Sequence, residues 1–72
     1  MPKLPVVKPK QLIQALKKID FIEVRHNGSH LQMKKGNMLV TIPVHSKDLN
    51  PITLKSILRQ AKISIEELVE LL

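Results

Sequence analysis

The chain has no cysteine, one aromatic side chain, Phe21, and two glycines. Each scarcity removes a class of explanation. Without thiols there are neither disulfides nor thiolate metal sites, which fits a reducing compartment. One aromatic cannot build the stacking platform on which proteins commonly hold single-stranded nucleic acid. No apolar run approaches the roughly 20 residues of a membrane span, and the start has no apolar signal-peptide core, so the expected location is the cytoplasm. Acid is also short, with 6 Asp+Glu against 12 Lys+Arg, and Glu66, Glu67 and Glu70 cluster near the C-terminus. The remaining acids, Asp20, Glu23 and Asp48, do not pair into a two-carboxylate acid/base site. A Gly-rich phosphate loop, an HExxH helix, a G-x-S-x-G elbow and a cysteine nucleophile are all missing.

What is present is positive charge. A formal net charge of +6 draws polyanions, and nucleic acid is the leading partner class. Lysines kept only for solubility and an acidic protein partner are the competing readings. With so little aromatic surface, contacts to phosphate and ribose are favoured over base reading. Seventy-two residues make a single domain over 1–72 with a modest core.

Two turn signals organise the middle of the chain. Asn27-Gly28 suits a type I′ hairpin, which needs positive φ at both central residues. That turn sets His26 opposite Ser29, Arg25 opposite His30, Val24 opposite Leu31 and Ile22 opposite Met33. Gly36-Asn37 gives a second hairpin, pairing Lys34 with Leu39, Met33 with Val40, Gln32 with Thr41 and Leu31 with Ile42. Three antiparallel strands follow, at about 21–26, 29–35 and 38–43. One face collects Ile22, Val24, Leu31, Met33, Val40 and Ile42. The other is mainly polar, with Glu23, Arg25, His30, Gln32 and Thr41 beside Pro43, and Phe21, Lys34 and Leu39 farther along. Such a meander is marginal alone and needs helices on its apolar side, an α+β fold.

Helical signals flank the meander. Pro9 suits a first helical position, and Leu12, Ile13, Leu16 and Ile19 recur at helical spacing, predicting a helix over 9–18. Residues 1–8, with Pro2 and Pro5, are expected to be an extended arm. Asn50-Pro51 offers a cap acceptor and then a first-position proline, with Leu54, Ile57, Leu58 and Ala61 as one core stripe. Lys55, Arg59 and Lys62 share another face, suited to a phosphate backbone or simply to solvent. Ser64 and Glu67 form a capping box for a last short helix, whose apolar residues close the core or dock on another subunit. The predicted order is α-β-β-β-α-α.

The histidines are the candidates for chemistry. A histidine exchanges a proton near neutral pH, and RNA brings its own nucleophile, the 2′-hydroxyl. Cleavage then needs a proton acceptor, cations for the developing phosphorane charge and rigid positioning. On the predicted register His30 is the acceptor, Arg25 a phosphate holder and Lys34 a second cation farther along. His45, just past the third strand, is either a partner acid or a loop residue, and His26 is expected to be inert. The three histidines lack convergent spacing, so no metal and no cofactor are expected.

Asn27-Gly28-Ser29-His30, then Val40-Thr41-Ile42-Pro43-Val44-His45, then Thr53-Leu54-Lys55-Ser56-Ile57-Leu58-Arg59-Gln60-Ala61 resemble the HicA-type toxins of HicA/HicB toxin–antitoxin pairs. The resemblance spans the first helix to the C-terminus. It implies a fold like a double-stranded RNA-binding domain, ribosome-independent cleavage of mRNA with the G-S-H histidine, here His30, essential, and neutralisation by an acidic HicB-like antitoxin over the active face. Ile52-Thr53-Leu54 stands where many members have Gly-Thr-Leu. A non-catalytic double-stranded RNA-binding module, or an inactive family member, is the alternative; a small interaction protein is a third reading.

Overall fold

The computed structural model describes residues 3–72, so Met1 and Pro2 of the expected arm lie outside the described residues. Its elements run α1 (Pro9–Lys17), β1 (Ile22–Asn27), β2 (His30–Lys35), β3 (Met38–Pro43), α2 (Pro51–Ala61) and α3 (Ile65–Leu71). The strands form one antiparallel sheet in the order β1-β2-β3. This is the α+β order expected from the sequence. The helices lie on one side of the sheet, where Leu31, Met33, Val40 and Ile42 are buried with Leu12, Leu16, Leu54, Ile57, Leu58 and Leu68.

The helix boundaries follow from local chemistry. Pro51 opens α2, and Asn50 caps it by accepting from the Ile52 N–H at 2.8 Å. Ser64 and Glu67 form the expected reciprocal box, with Ser64 Oγ accepting from the Glu67 N–H at 3.1 Å and Glu67 Oε1 accepting from the Ser64 N–H at 3.2 Å. Two helices end on a left-handed residue other than glycine. After α1, Asp20 has φ +75° while the Phe21 N–H reaches back to the Leu16 carbonyl. After α2, Lys62 has φ +58° while the Ile63 N–H reaches the Leu58 carbonyl. Both closures place an apolar side chain, Phe21 or Ile63, beside the last turn. The last helix closes the core through Leu68, which is buried.

The second hairpin has the expected register throughout, from Lys35 opposite Met38 to His30 opposite Pro43. The first does not. Asn27 pairs with His30, His26 with Leu31 and Arg25 with Gln32, so the loop is Gly28-Ser29 and Arg25 does not stand opposite His30. Gly28 supplies a positive φ of +61°, and Asn27 is freed to join the ladder. Moving the loop one residue shifts each pairing by two, so Arg25 keeps the face it shares with His30.

A bulge at Val24 then changes the parity of β1, leaving Glu23 opposite Met33 and Ile22 opposite Lys34. Phe21 and Glu23 therefore move from the polar face to the helix side, and Ile22 moves the other way. The expected apolar pair Ile22 and Val24 is exposed, at 62% and 46%. The reason lies in Phe21, which is only 2% exposed in the core. Burying Phe21 while exposing Arg25, four residues on, requires one extra residue between them. The segment before α1 is not free along its whole length: Val7 is buried, and its carbonyl accepts from the Leu49 N–H at 2.8 Å, pinning it to the chain before α2.

Candidate active site

The face of the sheet away from the helices carries the polar groups. Across its turn end lie two rows, Asn27, His30 and Pro43, then Arg25, Gln32 and Thr41. Five of these six, Arg25, Asn27, His30, Gln32 and Thr41, line an open cleft of about 260 Å³. Asn27 is the direct cross-strand neighbour of His30. Arg25 is its diagonal neighbour, about 7–8 Å away between backbones and within reach of a long side chain. His30 is exposed, and its Nδ1 lies 3.5 Å from Ser29 Oγ, the outer limit of a hydrogen bond.

This arrangement offers an imidazole, a guanidinium, two amides and a hydroxyl around one concavity. Imidazole can accept a proton, guanidinium can grip a phosphate in two places, and the amides and hydroxyl can bond ribose or phosphate oxygens. No carboxylate lines the cleft. Glu23, expected on this face, is carried by the bulge to the helix side, where its carboxylate pairs with Lys17 Nζ at 2.6 Å. Both partners are well exposed, and pairs of that kind contribute at most about 1 kcal/mol.

The other predicted residues are dispersed. Lys34 is on the same face as His30 but four residues along β2, about 13 Å away by strand rise. It stands between Ile22 and Leu39, both exposed. Lys55 and Arg59 are exposed on α2, whose buried stripe faces the sheet, so they sit on the helix layer. His26, opposite Leu31, points to the helix side and away from His30. His45 is exposed beyond β3. Among the described residues no group of three or more His, Asp and Glu gathers to hold a metal ion, and no helix is long and apolar enough to cross a membrane.

A larger groove of about 480 Å³ runs between α1 and the end of α3, lined by lysines, glutamines, Leu71 and Leu72. It holds no side chain suited to proton transfer near neutral pH, so the smaller cleft is the better chemical candidate. Sequence reasoning had already put Gln32 and Thr41 on the polar face by alternation. Asn27 was missed because the turn assignment placed it in the loop.

Comparison with known proteins gives one family match. A family model described as the HicA toxin of bacterial toxin–antitoxin systems matches residues 9–63, from the start of α1 through the end of α2. No curated protein matches the chain.

Proposed function

Because the chain belongs to the HicA toxin family of bacterial toxin–antitoxin systems, we propose that it is an endoribonuclease that cleaves mRNA on the helix-free face of its sheet. His30 removes the 2′-hydroxyl proton, and Arg25 holds the scissile phosphate and offsets the charge that builds on it. The 2′-oxygen attacks phosphorus, the bond to the 5′-oxygen breaks, and a 2′,3′-cyclic phosphate results. The nucleophile comes from the substrate and the base from the protein, so the proposed reaction needs no metal and no cofactor. The observation that carries this reading is the shared cleft of Arg25 and His30 on an exposed face of a basic domain.

Lys34 enters as a contact to a phosphate farther along the strand. Lys55 and Arg59 contribute through the field that gathers a polyanion, not through the cleft. A toxin of this family implies a cognate antitoxin. We take it to be HicB-like and acidic, covering the cleft, with Ile22 and Leu39 beside Lys34 giving that partner apolar anchors on the same face.

The test is induction of the wild-type and His30→Ala chains in cells while growth and bulk mRNA are followed. Growth arrest and mRNA loss with the wild type, both abolished by His30→Ala, are expected. Equal toxicity of the two chains, or no effect of either on mRNA, overturns the reading in favour of a binding module.

A further inference from the structure

The cleft supplies a base but lacks a proton donor for the 5′-oxygen that must leave, since Arg25, Asn27, Gln32 and Thr41 are poor acids and Glu23 is on the other layer. A candidate lies just past β3. Pro43 is directly opposite His30, and beyond it the Val44 N–H donates to the Ser29 carbonyl, so the chain keeps running antiparallel along the first hairpin. Val44 packs against the core. Alternation along an extended segment then turns His45 to the face of His30, level with Gly28. Gly28 has no side chain to intervene, and nothing lies within 4 Å of where its Cβ would stand. His45 therefore follows β3 on the side of His30, at the open end of the cleft beyond the five lining residues.

We infer that His45 is the general acid of the proposed cleavage, an assignment that rests on His30 being its base. An in-line displacement puts the attacking and leaving oxygens on opposite sides of phosphorus, so acid and base must stand apart across the scissile group. His30 takes the 2′-hydroxyl proton as the 2′-oxygen bonds to phosphorus. The bond between phosphorus and the 5′-oxygen breaks, its electron pair stays on that oxygen, and the oxygen takes a proton from the His45 imidazolium. His30 ends protonated and His45 neutral, and exchange with water restores both.

The experiment uses two short RNAs sharing one linkage that the wild-type chain cuts, one with the ordinary 5′-oxygen and one with a bridging 5′-sulfur. Thiolate leaves without protonation, so loss of an acid is hidden on the second RNA whereas loss of a base is not. His45→Ala and His45→Gln are expected to cut the oxygen substrate roughly 10²–10⁴-fold more slowly and the sulfur substrate at the wild-type rate. His30→Ala is expected to be slow on both. Wild-type rates for both His45 variants on the oxygen substrate, or equal losses on the two substrates, overturn the assignment while leaving His30 as base. Unimpaired cleavage by His30→Ala overturns the proposed function itself. Circular dichroism of the His45 variants, whose side chain is exposed, verifies that the fold is retained.

Discussion

In the proposed reaction Arg25 and His30 act on one phosphate in different ways, and single substitutions separate them. There His30 serves as the proton acceptor, with no substitute in the cleft. Arg25 there serves as an electrostatic clamp whose planar fork a lysine cannot reproduce. Arg25→Ala is expected to lower kcat/KM on a short RNA by roughly 10²-fold, the scale for losing one transition-state donor. Arg25→Lys should recover only part of that loss, because charge returns without the two-point grip; full recovery would show that charge alone suffices. The placement of both residues was legible because side chains alternate along strands. The error in the first turn moved each partner by two positions, and a shift of two leaves faces unchanged. The placement of Asn27 beside His30 was not legible, because Asn-Gly tolerates positive φ at either residue and only the folded ladder shows that Gly28 bears it.

At the scale of elements, β1 resolves a conflict that its sequence contains. Phe21 belongs in the core and Arg25 outside it, and the bulge at Val24 satisfies both. Deleting Val24 restores straight alternation and forces one of the two onto the wrong face. The loss is expected to approach the roughly 3–5 kcal/mol of removing a buried Phe if Phe21 is expelled. If Arg25 is turned inward instead, RNA cleavage should fall while stability is kept. Urea denaturation and cleavage rates together distinguish these outcomes from a deletion without effect, which would show that the bulge does no such work. The helices were more legible than this strand because their signals are local: Asn50 caps at i+2, Ser64 and Glu67 cap each other three residues apart, and the α2 stripe is all buried. A bulge has no such local signature, since it follows from where Phe21 finds space among distant residues. The left-handed residue after α2 gives a further prediction. Lys62→Gly should raise stability by up to about 1 kcal/mol, because an L side chain is strained at φ +58°. Unchanged or lower stability on thermal melting would show that the longer side chain's contacts outweigh that strain.

At the scale of the whole molecule, the two layers divide the positive charge. Arg25 and Lys34 lie on the sheet face, whereas Lys55 and Arg59 lie on the helix layer. If single-stranded RNA runs along the sheet, Lys34→Ala should reduce the dependence of log affinity on log salt by about 0.7, the value for one phosphate contact. The double variant Lys55→Ala/Arg59→Ala should leave kcat on a short RNA unchanged and weaken only its salt-sensitive association. A large loss in the double variant would move the binding track to the helices. The most direct test of the central claim is mass spectrometry of the RNA ends left by the purified chain in the presence of EDTA. The account predicts 2′,3′-cyclic phosphate and 5′-hydroxyl ends from the wild type and intact RNA from His30→Ala. Ends bearing a 3′-hydroxyl, no cleavage by the wild type without divalent metal, or full cleavage by His30→Ala would contradict it.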